Sequence, residues 1–360
     1  MATCVFCGAI GKLTGEHVLG DWLSRTPVDQ SAVPHGAGWL NRLGRDLGTR
    51  PPYQQKVKDV CAACNSGWMS RLEETAARVL APFILGTPGR LQSVDQPAIA
   101  AWAQKTVLVA MLLSPEADRA RGYGLPPPEY TQLYGQRDAM EPLPASQFWI
   151  GRYIGVRDWS VRGTPVIVAG KGLPEPDGPQ GYVMTIILGQ LVIEGFRFTT
   201  AALAVPLSPL RGLARIWPVE EAVDWPTGAP LDDEAFHRFV RGEELRPHES
   251  FVAVRPWKTA TELEPSQLIG SMIELPTACG KLVVYYPAAL AADAQRGQFY
   301  AFVSSCECGT AYLIHTEPDG AHLKMAGTVE PIEMAYKATP GDEYEFGDEH
   351  GRFFCKLIAE

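Results

Sequence analysis

Residues 60–74, VCAACNSGWMSRLEE, decide how this chain is read. A Cys-x-x-Cys pair, Cys61 and Cys64, runs into Asn65 and then into a segment with helical pattern. A matching pair, Cys4 and Cys7, lies near the start in residues 3–23, TCVFCGAIGKLTGEHVLGDWL. Thiolates suit a borderline-soft ion, and four of them complete a tetrahedron. With eight cysteines in 360 residues the chain is no disulfide scaffold, so the two pairs point to one metal clip. The 53 residues between Cys7 and Cys61 are no obstacle, because closure entropy grows slowly with loop length. A closed four-thiolate site keeps no open position, so the expected zinc is structural.

If the knuckles meet, the chain leaving Cys7 and the chain leaving Cys64 start from one place. Glu16 and His17 on the first, and Asn65 on the second, then converge. A carboxylate and an amide oxygen are hard donors suited to Mg²⁺ or Mn²⁺. A neutral imidazole takes a proton from water near pH 7. A divalent cation stabilises charge on phosphoryl and leaving oxygens. These are the parts of a phosphodiester hydrolase. Asn65 is also a favoured N-cap residue for the helix that follows, a role compatible with metal binding.

The run CVFCG…LTGEHV…VCAACN resembles the HNH, or His-Me finger, nuclease family in its zinc-knuckle form, over residues 1–75. The resemblance implies a ββα-metal finger braced by zinc on Cys4, Cys7, Cys61 and Cys64. It implies His17 as general base, Glu16 and Asn65 as catalytic residues that hold Mg²⁺ or Mn²⁺, and products ending in 5′-phosphate and 3′-hydroxyl. It implies a nucleic-acid substrate, DNA in preference to RNA. Four features depart from the family pattern, among them Trp68 where a basic residue is common in the helix, with Arg71 one turn further on, and the long insert between the hairpin strands. Gly20 stands where a Pro three residues after the base is usual, and QQKVKD before Cys61 lacks the family's Asn. The competing reading is a finger that has lost catalysis and binds nucleic acid or protein through the same zinc-braced fold. Glu73 is a further candidate around the ion, whereas Trp22, Trp68, Met69 and Leu72 read as core.

Charge is unevenly spread. The net charge is −9, but residues 1–160 carry 16 Lys+Arg against 14 Asp+Glu, while residues 161–360 carry 16 against 27. Phosphate contacts are therefore expected from the N-terminal part, at Arg42, Arg45, Arg50, Lys56 and Lys58. The acidic C-terminal two thirds suits a protein partner better than bulk DNA. No apolar run is long enough to span a bilayer, and the N-terminus has no signal-peptide pattern, so the expected location is the cytoplasm with no membrane partner.

The expected class is α+β. The finger occupies 1–75, a mixed α+β region 76–258, and a small β-rich domain 259–360. Helical spacing of Ile99, Trp102, Thr106, Val109 and Leu113 predicts a helix. Residues 181–200, GYVMTIILGQLVIEGFRFTT, predict a hairpin turning near Gly189. Residues 231–242, LDDEAFHRFVRG, predict a short helix capped by Asp232 or Asp233. Cys279, Cys306, Cys308 and Cys355 have irregular spacing and read as buried thiols before a second zinc site, and His315 reads as a core histidine.

Overall fold

The computed structural model describes residues 2–39, 42–114, 116, 119, 124–170, 176, 178–199, 206–209, 212–240, 242, 245–247 and 252–257, and seven strands between 273 and 356. The chain is mixed α+β, with few helices and several sheets. It divides into two compact units, Met1–Ala37 with Asp46–Trp257, and Gly38–Arg45 with Lys258–Glu360.

The first unit begins with β1 (Ala2–Thr3) and β2 (Ile10–Gly11), an antiparallel pair that brackets the first knuckle. The knuckle closes through Gly8 N–H to Cys4 O at 3.0 Å, and Gly8 takes the left-handed φ of 72° that a side chain would resist. Next come β3 (Leu13–His17) and a 3₁₀ turn at Asp21–Arg25. The basic stretch contributes to a two-stranded sheet of β4 (Val33–Trp39) and β5 (Arg42–Arg50). The chain then returns in β6 (Lys56–Cys61), which pairs antiparallel with β3.

A broken helical run follows: α1 (Ala62–Cys64), a π-helical turn (Asn65–Met69) and α2 (Ser70–Ile84). Gly67, at φ −98° and ψ −108°, leaves helical geometry and bends the run. The four-residue spacing of Leu72, Ala76 and Leu80 puts an apolar stripe of α2 inward, as on any amphipathic helix. After β7 (Gly89–Leu91) comes α3 (Gln96–Met111), buried from Ala98 to Val109 on every face. A helix apolar all round belongs in an interior, and this one carries Gln104 and Lys105 there with it. A shorter helix, α4 (Pro127–Gly135), follows.

The strands then come in quick succession: β8 (Ser146–Arg152), β9 (Trp159–Gly170), β10 (Gly181–Leu188), β11 (Leu191–Phe198), β12 (Leu207–Pro209), β13 (Ala214–Trp217), β14 (Val223–Trp225), β15 (Leu245–Pro247) and β16 (Val252–Pro256). Six of them form an antiparallel sheet in the order β13-β8-β11-β10-β9-β16. The β10–β11 hairpin turns through Gly189 and Gln190, with Leu188 opposite Leu191. Tyr182, Met184, Ile186 and Leu188 alternate onto the face that shares a core with α3. On β9 and β10 also packs α5 (Asp233–Val240), whose N-terminus is capped by Asp232 Oδ1 accepting from Ala235 N–H at 2.8 Å.

The cysteine-bearing segment and the middle of the chain share one core. Phe6 meets Trp68 and Tyr130 edge-on at 5.5 and 5.4 Å between ring centroids, and Trp68 and Met69 are 3% and 1% exposed. Such contacts fix the helical run after the second knuckle against α4.

The second unit is antiparallel β among its described residues. It holds β17 (Ile273–Pro276) with β18 (Leu282–Tyr285), β19 (Ala301–Ser305) with β20 (Thr310–Glu317) and β21 (Gly320–Thr328), and β22 (Glu343–Asp348) with β23 (Gly351–Lys356). His315 is on β20 and Cys355 on β23, while Cys279, Cys306 and Cys308 lie outside the described residues.

Candidate metal centre and cleft

The two knuckles meet. The Sγ atoms of Cys4, Cys7, Cys61 and Cys64 all lie within 4.8 Å of one another, with Cys4–Cys64 at 3.9 Å and Cys7–Cys61 at 3.6 Å. A tetrahedral zinc with Zn–S bonds near 2.3 Å needs sulfurs about 3.8 Å apart, so the four cysteines fit a metal such as zinc. Burial opposes the Cys4 thiolate, yet the backbone N–H groups of Cys7, Cys61 and Phe6 outweigh it and bring Cys4 down to about 7. Burial pushes the Cys64 thiol up. Among the described residues this is the one group of three or more His, Cys, Asp or Glu side chains close enough to share an ion.

The paired strands β3 and β6 set the next layer. Leu13 faces Cys61 and His17 faces Lys56, with a bulge between the Thr14–Val60 and Glu16–Val57 pairs. Strand alternation turns Glu16 inward, where it is 5% exposed, and leaves His17 half-buried. Asn65 is not the helix N-cap, a position held by Cys61 without a side-chain bond. Asn65 lies in the π turn with helical dihedrals, and its Nδ2 donates back to Thr14 Oγ1 and Gly15 O, both at 3.2 Å. Those bonds pin the strand that carries Glu16 and His17 to the helical run.

Glu16, His17 and Asn65 line a common cleft of about 400 Å³, joined by Glu73, Asp21 and Arg25. His17 Nε2 is 3.5 Å from Asp21 Oδ1. Burial lowers the His17 pKa and Lys56 adds to that, against the pull of Asp21 and Glu73, so the imidazole is neutral at pH 7. Burial raises the Glu16 carboxyl, the Lys105 ammonium opposes that, and Glu73 adds to the rise.

One participant had no place in the motif. Lys105, on α3 and 0% exposed, sets its Nζ 3.3 Å from Glu16 Oε1 and in contact with Glu73 Oε1. Burial opposes its charge, but the two carboxylates prevail and hold it as the ammonium. Trp22 Nε1 donates to Glu73 Oε2 at 2.7 Å. That bond also accounts for Gly20. A Cβ there would overlap the Glu73 carboxylate and the Trp22 indole, so the position has no room for proline. A sequence signal for Lys105 exists in hindsight: one cation inside an apolar helix demands a buried counter-charge.

The residues expected to contact phosphate are placed less centrally. Arg42 and Arg45 lie on β5, and their side chains fall outside the described residues. The Arg50 guanidinium donates to Leu47 O. Lys56 and Lys58 are exposed at alternate positions of β6. The cation at the rim of the cleft is instead Arg25, which is 74% exposed and 4.0 Å from Asp21. The donor set of the cleft, carboxylate and amide oxygens, fits a hard divalent cation by chemistry. Among the described residues, no helix is long and apolar enough to cross a membrane. No family model, no curated protein and no solved structure matches this chain.

Proposed function

We propose that the chain is a metal-dependent, HNH-type endonuclease that hydrolyses phosphodiester bonds, of DNA in preference to RNA. The observation that carries this reading is that Glu16 and His17 of β3 and Asn65 of the helical run line one cleft, with the cysteine knuckles at Cys7 and Cys61–Cys64 flanking those segments in sequence. Zinc on Cys4, Cys7, Cys61 and Cys64 braces the junction and takes no part in the chemistry.

Neutral His17 accepts the proton of the attacking water, and Asp21 steadies the ring. Glu16 and Asn65 would hold Mg²⁺ or Mn²⁺. Bound there, the ion supplies stabilisation of charge on the phosphoryl and leaving oxygens. Arg25 at the rim, with Lys56 and Lys58 on β6, offers positive charge to the substrate backbone. Purified protein is expected to nick or cut DNA with Mn²⁺ or Mg²⁺, and His17→Ala to lose ~10²–10⁴-fold of that activity while keeping its fold. Equal activity in His17→Ala removes the assignment.

A second reading is favoured by the ion pair of Glu16 with Lys105: a zinc-braced module that binds nucleic acid or a protein without cutting. A divalent-ion titration separates the two. The nuclease has a weak Mn²⁺ site that Glu16→Ala removes, and the binding module retains only zinc.

A further inference from the structure

We propose that Lys105, with Glu73 and Trp22, is the positioning device of the cleft: it fixes the Glu16 carboxylate that faces the catalytic cation, so that the site is completed by α3 and not by the motif alone. The inference rests on the nuclease reading above.

The geometry is that of a clamp. Lys105 is anchored in a helix buried on every face, so its Nζ has little freedom. It touches one oxygen of Glu16 and one of Glu73, while Trp22 Nε1 holds the other oxygen of Glu73. Glu16 comes from β3, Glu73 from α2, Trp22 from the 3₁₀ turn and Lys105 from α3, so four elements converge on one carboxylate pair. The ammonium lies 3.3 Å from Glu16 Oε1, and Oε2 is the oxygen this proposal assigns to the ion. Groups that orient a ligating carboxylate in this way typically change metal affinity by about 10–100-fold when removed.

Simple electrostatics points the opposite way. Removing a cation beside a carboxylate strengthens that carboxylate's attraction for Mn²⁺. Because Glu73 itself lines the cleft, the isocharged variant Lys105→Met/Glu73→Gln is compared with Glu73→Gln alone, and the difference between them isolates positioning by Lys105. The double variant deletes one positive and one negative charge together, leaves Glu16 with its own, and keeps an amide oxygen for Trp22.

The test is Mn²⁺ affinity of the zinc-loaded full chain, read by electron paramagnetic resonance, with circular dichroism and urea titration reporting the fold. The expected result is a wild-type Mn²⁺ site, and a folded double variant in which affinity is lower than in Glu73→Gln alone by about 10-fold or more. A folded double variant whose affinity equals or exceeds that of Glu73→Gln overturns the positioning role and leaves the nuclease reading standing. Absence of a Mn²⁺ site in the wild type overturns both. Should the double variant not fold, Trp22→Phe serves the same test. It frees Glu73 Oε2 while keeping an aromatic ring on the Trp102 side, and affinity unchanged in that variant counts against the clamp.

Discussion

Asn65→Asp separates two jobs that one side chain does. The substitution keeps size and a hard oxygen but replaces the amide donor with an acceptor. In the structure Asn65 Nδ2 meets two acceptors, Gly15 O and Thr14 Oγ1, each at 3.2 Å. Thr14 has no spare proton to offer, since its hydroxyl already donates to Val60 O at 3.1 Å. An aspartate therefore faces two oxygens with no hydrogen between them. Losing two hydrogen bonds at a half-buried site costs about 1–3 kcal/mol, with water recovering part of what repulsion adds. The assay is urea unfolding at fixed, saturating zinc, because any change in metal occupancy shifts apparent stability by mass action. The midpoint is expected to fall without a change in slope. Asn65→Asp as stable as the wild type would show that Asn65 does not pin β3, and the account of how Glu16 and His17 are aimed would fail with it.

Further outcomes follow from the same contacts. Cys61→Ser is expected to lose zinc and stability together, measured by metal analysis and thermal unfolding; zinc retained at full stoichiometry contradicts the shared site. Gly20→Ala should displace Trp22 from Glu73, lowering the melting temperature and shifting tryptophan emission; an unchanged spectrum and melting temperature count against the close packing there. Tyr182→Phe removes a hydroxyl that accepts from Gln104 Nε2 and donates to Glu129 Oε2, both at 2.8 Å. A loss of about 2–3 kcal/mol in denaturant titration is expected, and a loss under about 0.5 kcal/mol contradicts the network. Glu194 is wholly buried with a Thr185 hydroxyl on one oxygen, and burial raises its pKa well above the ordinary range. The folded state therefore keeps a proton that the unfolded chain releases, and its share of stability falls as pH rises above the normal glutamate value, by up to ~1.4 kcal/mol per pH unit. Glu194→Gln should lessen that fall between pH 5 and pH 8; parallel curves for variant and wild type would refute the protonated carboxyl.

What the sequence made legible is what local spacing encodes. Each Cys-x-x-Cys knuckle is a turn, and four thiolates have few other uses in such a pattern. The hairpin at Gly189 and the Asp232 cap follow from turn and cap chemistry that neighbours in sequence settle between themselves. Asn65 was readable as important but not in its geometry. Its residue type suits a cap, while tertiary contact with β3 holds it inside the helical run, its amide turned back. Lys105 lies 89 residues from Glu16, so their meeting depends on α3 docking in the shared core, a long-range fact that no window of sequence contains. The same holds for the space beside Gly20, which the Trp22–Glu73 bond occupies.

The most direct test of the central claim is cleavage of DNA by the zinc-loaded full chain with and without Mn²⁺, wild type against His17→Ala. The account expects ion-dependent cleavage leaving 5′-phosphate ends in the wild type and its loss in a folded His17→Ala. No cleavage by the wild type, or equal cleavage by both, would contradict it.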